Sequence, residues 1–439
     1  MAVIDIAPYA PVGEEGAAFA KLALNRMSQG MSGSTILRIA GEINAMQAEG
    51  RDICNLTVGD FDPDQFGIPA SFRDDIIAAL QAGETNYPPA VGLPATRAAV
   101  AAMYERELGL KYPVDSVIMG SGARPPIYAT AALVLEPGDK VLYGTPSWNN
   151  HHYVIINRCE AVTVEADRST DFLLTGEMIA DKLDGVRLLA LNSPLNPTGT
   201  AYSAEQLTGI CDVVLAENAR REAVGERPVM VMYDQVYWML TFGETQHITP
   251  VHVRPAMAKY TIFVDAISKS FAATGLRIGW GVVPPALSGA YKALIGHMGA
   301  WAPRPGQVAT AKLLLSHEAI SSYHADMKAG VEARLMALHD GFSAMGRDGL
   351  PVSSIAPQGA IYLSVNFGVQ GRSCRGRSFQ SDEDLRSFLL DEAGFGVVPF
   401  TAFGIGRDTG WVRLSIGAVS LQDIDRGLAR IREALSELV

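Results

Sequence analysis

The sequence predicts an α/β fold, with a mostly parallel seven-stranded sheet in a large domain and a smaller α+β domain. Two observations predict it. Between about residues 115 and 284, seven short and almost uninterrupted apolar segments alternate with amphipathic stretches of helical spacing. Strands buried on both faces have this continuous apolarity, and helices that cross between parallel strands supply the intervening stretches. After about residue 306, long helical patterns are followed by short strands.

The predicted strands are, in chain order, SVIMGSG, KVLYGT, EAVTVEA, VRLLALNSP, VMVMYDQV, YTIFVDAIS and RIGWGVVP. Stretches such as PPIYATAALVL and SAEQLTGICDVVLAENARR have the spacing of crossover helices. Near the N-terminus, GSTILRIAGEINAMQAEG carries the apolar stripe of a helix. We therefore expect 1–70 to form an arm and helix that contribute to the small domain, 71–305 the large domain, and 306–439 the small C-terminal domain.

Composition excludes several classes of protein. The chain has 439 residues and a formal net charge of −11, which disfavours a nucleic-acid-binding surface. Its four cysteines (Cys54, Cys159, Cys211, Cys374) are far apart, which suits reduced thiols better than disulfides or a zinc site. The first residues lack the pattern of a signal peptide, and no apolar run approaches the ~20 residues that span a bilayer. A soluble cytoplasmic protein is expected.

Polar and reactive side chains follow the ends of several predicted strands. Ligands of a parallel sheet bind beyond the carboxyl ends of its strands. The residues delivered there are the loop Gly120 to Arg124, Trp148, Asn196, Asp234 with Tyr237, and Ser268 with Lys269. One edge of the sheet is thus predicted to gather a small-residue loop, an indole, an amide, a carboxylate, a phenol and a lysine.

This set of side chains has a common chemical interpretation. A lysine amine whose pKa is lowered attacks a carbonyl and forms a Schiff base. A carboxylate can keep a pyridine nitrogen protonated, which makes the ring an electron sink. An indole stacks on a flat ring, and a loop of small residues before a helix offers N–H groups to a phosphate. Together they predict a pocket for pyridoxal 5′-phosphate.

Five motifs extend this interpretation: PSWNNH (146–151), NSPLNPTGT (192–200), YDQVYW (233–238), SKSFAATGLRIG (268–279) and VRLSIG (412–417). In content and order they resemble the pyridoxal-phosphate-dependent aminotransferases of class I/II, which are aspartate-aminotransferase-like enzymes of fold type I. The resemblance runs from about residue 33 to the C-terminus. It implies transfer of an α-amino group between an L-amino acid and a 2-oxo acid.

The resemblance implies catalytic roles at the sheet edge. Lys269 would hold the cofactor as a Schiff base and, once displaced by the substrate amine, move a proton at the substrate Cα. Asp234 would pair with the pyridinium nitrogen. Tyr237 and Asn196 would bond to the neighbouring ring oxygen, and Trp148 would stack on the ring.

Further residues are assigned to the cofactor's surroundings by the same resemblance. Ser268, Arg277 and the backbone of Ala123 and Arg124 would hold the phosphate, and His151 would support the pyridinium-binding carboxylate from behind. Three neighbouring positions depart from the family pattern: alanine at 266 where many relatives have serine, proline at 125 without an N–H, and glutamine at 235 in place of glutamate. These departures are expected to alter the phosphate contacts more than the chemistry.

The resemblance also assigns substrate and partner contacts. Arg413 would bind the substrate α-carboxylate with its two-pronged guanidinium. The substrate-binding site would be lined by Asn196, Gly59 and Trp148. Tyr87, in NYPPAVGLPATR, matches a tyrosine that reaches the phosphate of the partner subunit, which implies a homodimer with shared active sites.

The distal part of the substrate is less well determined. A preference for dicarboxylates needs a second cation, and the position where some relatives have a lysine is Ser32. Arg304, in AWAPRPGQVA, stands near where an arginine would cross from the partner subunit. The alternative, a surface arginine in a proline-bounded loop, stays open.

Each of these residues has an ordinary explanation when taken alone. Lys269 could be a solvated loop residue, Asp234 a helix N-cap, Ser268 a turn former, and Arg413 a solvent-facing strand residue. The pair His151 and His152 could suggest a metal, but no third ligand stands at suitable spacing, so no metal is expected. The joint arrangement favours the cofactor interpretation because one pocket then explains all of the positions.

Alternative functions remain to be weighed. A β-eliminating lyase or a cyclopropane-forming synthase could use the same fold and the same lysine. A non-catalytic regulator would need an added DNA-binding domain, and only about thirty residues precede the matched region, short of the ~50 of a minimal domain. A nicotinamide-dependent oxidoreductase is disfavoured because the glycines after the first strand do not form GxGxxG.

Overall fold

A computed structural model of the chain describes residues 3–5, 9–31, 33–148 and 150–439. The strands in these ranges are β1 Cys54–Asn55, β2 Val117–Gly120, β3 Lys140–Thr145, β4 Glu160–Glu165, β5 Val186–Asn192, β6 Met230–Asp234, β7 Thr261–Ala266, β8 Gly279–Val282, β9 Val352–Ser354, β10 Tyr362–Phe367, β11 Ser373–Cys374, β12 Arg377–Ser378, β13 Phe395–Gly396, β14 Val398–Pro399 and β15 Trp411–Ser415. Strands β2 to β8 coincide with the seven predicted segments.

The helices in the same ranges are α1 Gly13–Ala23, α2 Arg26–Gln29, α3 Thr35–Ala48, α4 Ala70–Gln81, α5 Pro94–Leu108, α6 Arg124–Val134, α7 Asn150–Ile156, α8 Gly176–Ile179, α9 Ala204–Ala223, α10 Pro250–Val253, α11 Ile267–Ser270, α12 Ser288–Met298, α13 Arg304–Leu315, α14 His317–Arg347, α15 Asp382–Ala393 and α16 Leu421–Ser436. Within this part of the chain, no helix has the length and apolarity needed to cross a membrane.

The largest sheet has seven strands in the order β2-β8-β7-β6-β5-β3-β4. Strand β8 is antiparallel to both of its neighbours, while the pairs from β7 to β4 are parallel. The short connection 267–278 folds the chain back beside β7, which accounts for the one reversed strand. The prediction of a mostly parallel seven-stranded sheet is confirmed.

Both faces of this sheet are buried, and alternate residues of a strand enter different cores. In β6, Val231 and Tyr233 pack on one face with helices α5 and α13, whereas Met230 and Met232 pack on the other with α6 and α12. A strand that must be apolar on both faces cannot alternate with polar residues. This is why the seven segments are almost uninterrupted in apolarity.

The C-terminal region forms a second core around the antiparallel sheet β14-β15-β10-β9, covered by α14, α15 and α16. The N-terminal segment joins it: β1 pairs in parallel with β13, and Ile39 and Ile43 of α3 pack with Val398 and Phe400. The division of the chain at residues 70 and 305 stays a prediction.

The predicted boundary between 305 and 306 falls inside the first turn of α13, which begins at Arg304. Its buried Leu313 and Leu314 lie in the same core as the large sheet, and the helix packs on α4 and α5. The long α14 then carries Ile320 in that core and Leu335 in the second one. The chain therefore passes between the two cores along α14.

Candidate active site

Lys269 lies in the single turn of α11, directly after β7. The backbone that leads to it is buried, and its ammonium group donates a hydrogen bond to the carbonyl oxygen of Gly59. Burial lowers the pKa of Lys269 to about 8, and the charges of Arg413 and Arg277 act in the same direction, while Asp60 opposes them. At pH 7 the Lys269 amine would then be uncharged in about a tenth of the molecules, a far larger fraction than for an ordinary lysine.

Asp234 ends β6, the strand next to β7. Its carboxylate accepts a hydrogen bond from the Val236 N–H at 3.2 Å, and Asn192 Nδ2 donates to its backbone oxygen at 2.8 Å. Burial raises the pKa of Asp234 to about 7. A cationic N–H beside this carboxylate would favour its ionised form, which is the chemistry that a pyridinium supplies.

Arg413 occupies the middle of β15 and is only 1% exposed. It donates from Nη1 to Asn196 Oδ1 at 3.2 Å and from Nη2 to the Thr57 carbonyl oxygen. Its Cζ lies 4.7 Å from the ring centroid of Tyr362 and 4.9 Å from that of Phe403. Its Nε is buried and unbonded, and no carboxylate of the described residues pairs with it. A desolvated guanidinium of this kind is suited to binding an anionic group.

A second basic group lies where the loop 121–123 leads into α6. Arg277, in the left-handed region at φ 56°, donates to Thr274 O at 2.8 Å and to Ser121 O at 3.2 Å. Gly122 faces this guanidinium so closely that a side chain there would collide with it. Ser268 is buried on the neighbouring turn. A guanidinium beside the N-terminus of α6 forms a site with the charge and N–H donors that phosphate requires.

Trp148 and Asp234 line one cavity, together with Tyr153 of α7. The guanidinium of Arg124, the first residue of α6, lies 4.9 Å from the Trp148 ring. His151 is exposed, and its ring lies on that of His152 at 3.8 Å. His151 is not among the residues that line this cavity, whereas Tyr153, two positions later on the same helix, is one of them.

Tyr87 and Arg304 lie together at the surface. Tyr87 is 83% exposed and packs edge-on against Trp301 at 5.4 Å. Arg304 donates to the Tyr87 carbonyl oxygen at 3.5 Å, and its Nε forms an ion pair with Glu84. Neither residue is among those that line the cavity beside Asp234. Ser32, the other position considered for distal recognition, lies outside the described residues.

The structure shows contacts among the predicted site residues: Lys269 bonds to Gly59 and lies 6.0 Å from the Tyr237 ring, and Arg413 bonds to Asn196. It also adds residues that the sequence did not single out: Thr57, Tyr362 and Phe403, which surround Arg413. No local motif marks them, because each comes from a different segment of the chain and reaches Arg413 only through tertiary packing. The apolar residues of GAIYLSVNF predict a strand but not what its tyrosine contacts.

These residues fit pyridoxal phosphate as a group. A lysine with a lowered pKa, a buried acid on the adjacent strand, an arginine beside a helix N-terminus and a flanking indole match the carbonyl, ring nitrogen, phosphate and ring face of that molecule. The unbonded Nε of Arg413 leaves donor capacity for a carboxylate.

Comparison with known proteins decides the family. The profile of the aminotransferase class I and II family matches residues 51–431. The chain belongs to this family. The aminotransferase is 28% identical to an aspartate aminotransferase of Bacillus sp. (strain YM-2), over 94% of its own length and 98% of that protein. It is 30% identical to an aspartate aminotransferase of Streptomyces avermitilis, over 93% and 95%.

Solved structures agree with these relatives. The aspartate aminotransferase of Rhizobium meliloti superimposes with a TM-score of 0.85 at 27% identity, over 95% of this chain and 99% of that one. The Thermus thermophilus aspartate aminotransferase with maleate superimposes with a TM-score of 0.82 at 26% identity, over 94% and 100%. The predicted fold type, the pyridoxal phosphate dependence and the aminotransferase activity are confirmed, and these relatives support that activity rather than the lyase alternative.

Proposed function

We propose that this aminotransferase binds its amino acid through Arg413 and uses Lys269 to move the proton at the substrate Cα. The observation that carries the proposal is the placement of a half-buried lysine, whose pKa is lowered to about 8, beside a buried arginine that has no carboxylate partner in the described chain. An amine of this kind is a base near neutral pH, and a desolvated guanidinium binds a carboxylate in two parallel hydrogen bonds.

Each residue then has a defined task. Pyridoxal phosphate, when bound, supplies an electron sink for negative charge that develops at the substrate Cα. Asp234 would hold the proton of the ring nitrogen, Arg277 the phosphate, and Tyr237 and Asn196 the ring oxygen. Lys269 Nζ would take the proton from the substrate Cα, and the second core would exclude water above the pocket.

The site assignments are tested by chemical labelling. Borohydride reduction of the holoenzyme should fix the cofactor permanently onto Lys269, because the amine of this residue is the reactive one in the pocket. Peptide mapping of the reduced protein checks the position. Label on a different lysine would contradict the assignment.

We also propose a homodimer in which Tyr87 and Arg304 reach the neighbouring active site. The support is that both lie at the surface and that Tyr87, an aromatic residue, is 83% exposed. Mixing Lys269→Ala with Tyr87→Ala subunits should restore about a quarter of the wild-type sites after exchange, because half the dimers would be mixed and one site of each would be intact. Sedimentation provides the mass, and lack of recovery in mixed dimers would rule out shared sites.

The substrate proposed first is aspartate, since the proteins similar to this chain are aspartate aminotransferases. A second candidate is an amino acid with a neutral side chain, favoured by the ion pair that already engages Arg304 with Glu84. Initial rates with aspartate, alanine and phenylalanine as donors, each with 2-oxoglutarate, distinguish them. If Arg304 binds the distal carboxylate, Arg304→Ala should lower kcat/KM for aspartate by at least ~10-fold and leave the neutral donors unchanged. Equal losses, or none, would favour the neutral substrate.

A cytoplasmic location is proposed from the cysteines. Cys54, Cys159, Cys211 and Cys374 are all free thiols, and three of them are buried. Such thiols are typical of a reducing compartment. Fractionation of cells that express the natural protein would test the location.

A further inference from the structure

We propose that Tyr362 is a positioning residue of the active site, whose hydroxyl sets the direction of the Tyr237 proton and whose ring seats the Arg413 guanidinium. The inference rests on the proposed function, because it concerns how two of its residues are held. It assigns a site role to a residue that belongs to the second core and carries no recognised motif.

Tyr362 begins β10 and is 1% exposed. Its hydroxyl lies 2.6 Å from the hydroxyl of Tyr237, which is itself 3% exposed and follows β6. Burial raises the pKa of both phenols, so each keeps its proton at neutral pH. The pair therefore joins β10 to the segment that follows β6, inside the second core.

In a hydrogen bond between two neutral phenols, only one hydroxyl can be the donor. Each has a single proton, so one hydroxyl donates and the other accepts. If the Tyr237 proton points to the ring oxygen of the cofactor, then Tyr362 must be the donor to Tyr237. An accepted hydrogen bond polarises Tyr237 and makes it a stronger donor.

The ring of Tyr362 has a separate task. The guanidinium of Arg413 lies over the rings of Tyr362 and Phe403, at 4.7 and 4.9 Å from their centroids. Ring contacts restrict the directions from which a ligand can approach the guanidinium. The rings also attract the cation, by an amount worth about 2- to 30-fold in binding. Tyr362 thereby fixes the plane in which a carboxylate would meet Arg413.

Gly59 shows that the place of Tyr362 is constrained by the site itself. A Cβ at position 59 would stand 2.6 Å from the Tyr362 hydroxyl oxygen, which is too close for any side chain. The carbonyl oxygen of the same glycine accepts the hydrogen bond of Lys269. A packing role alone explains the ring of Tyr362 in the second core, but not a hydroxyl brought to this junction of three site residues.

Two variants separate the hydroxyl from the ring. In Tyr362→Phe the ring is kept and the bond to Tyr237 is lost. We expect the pH midpoint of the bound cofactor's absorbance to rise by about half to one unit, because a weaker donor stabilises the deprotonated form less. Binding of propionate, a probe for the carboxylate site, should stay within about twofold of wild type. In Tyr362→Leu the midpoint should rise similarly, and the propionate Kd should also rise by at least ~5-fold.

Matched controls tie these effects to the pair. Tyr291→Phe removes another buried hydroxyl, bonded to Thr130 at 3.1 Å in the large domain, and should leave both measurements unchanged. In a Tyr237→Phe background, adding Tyr362→Phe should produce no further rise of the midpoint, because the two residues act through one bond. The Tm of each apoprotein confirms that the variant is folded.

Specific results would overturn the inference. An unchanged midpoint in Tyr362→Phe would exclude the hydroxyl role, and equal propionate binding by the Phe and Leu variants would exclude the ring role. If Tyr237→Phe itself leaves the midpoint unchanged, the assignment of Tyr237 in the proposed function fails, and the direction of its proton fails with it. The propionate data alone would then decide whether the Tyr362 ring has a role at Arg413.

Discussion

Two arginines were expected to bind carboxylates of the substrate, and their surroundings differ. Arg413 is 1% exposed, lies over two aromatic rings, and pairs with no carboxylate in the described part of the chain. Arg304 is partly exposed and forms an ion pair with Glu84. A buried charge without a counter-ion costs stability unless a ligand neutralises it, whereas a paired charge at the surface is already satisfied. The charge of Arg413 is thus left for a ligand to pair with, whereas the charge of Arg304 is already paired within the chain.

Lys269 and Asp234, like Arg413, are ionisable groups without an ion-pair partner among the described residues. The lysine donates to a neutral carbonyl oxygen, and the aspartate accepts from a backbone N–H. Burial moves both pKa values toward neutrality, to about 8 and about 7. The Lys269 pocket therefore concentrates groups whose charges are incompletely compensated, and the Arg304 surface does not. Four experiments test this contrast.

The largest effect is expected for Lys269→Ala. Removing the amine should lower kcat by roughly 10⁴-fold, the upper range of a single acid–base group, because no neighbouring side chain can take its place at Cα. Single-turnover kinetics with aspartate or alanine measure the loss. Lys259→Ala, at an exposed lysine that pairs with Glu222 just before β7, is the control and should keep full activity. Similar losses in both variants would point to a general defect.

The next effect is expected at Arg413. Arg413→Ala should lower kcat/KM by about 10²- to 10³-fold for every amino acid donor, because each carries the α-carboxylate. Arg413→Lys keeps the charge but not the two-pronged geometry and should recover only part of the loss. Steady-state kinetics with several donors check this, with Arg254→Ala, an exposed arginine paired with Asp212, as the control. A loss confined to one donor would remove Arg413 from the α-carboxylate.

The pH dependence of apoprotein stability tests Asp234. Its pKa is raised from 3.8 to about 7, so the folded apoprotein holds a proton that the unfolded chain releases. Stability contributed by that proton is present below pH 4 and is lost as the pH rises to 7. In Asp234→Asn this loss should disappear, so that Tm between pH 5 and pH 7.5 falls less than in wild type. Parallel Tm profiles for the two proteins would show that the carboxyl is not buried as described.

The smallest effect is expected at Glu84. Glu84→Gln breaks a partly exposed ion pair, so the free energy of unfolding should fall by less than about 1 kcal/mol. Chemical denaturation measures the change, and activity toward neutral donors should be unaffected. A destabilisation of several kcal/mol would mean that the Arg304 pair is as desolvated as the Arg413 site, and the contrast between the two regions would fail.

The sheet and the residues at its edge can be predicted from the amino-acid sequence. Strands buried on both faces require continuous apolarity, so β2 to β8 are visible as segments, with Asp234 as the last residue of β6 and Lys269 shortly after β7. Adjacent parallel strands end at the same edge, so chain position alone predicts that these two side chains lie close together. The five motifs then identified the family, which the comparisons confirmed.

The surroundings of Arg413 follow from tertiary packing. Thr57, Tyr362 and Phe403 come from three separate segments and meet around Arg413 when those segments pack together. Likewise, the contact of His151 with His152 and the ion pair of Arg304 with Glu84 depend on how α7 and α13 are placed. Local patterns encode which residues enter a core, but contacts between residues more than a hundred positions apart are set by how the cores pack together, and no spacing along the chain records that packing.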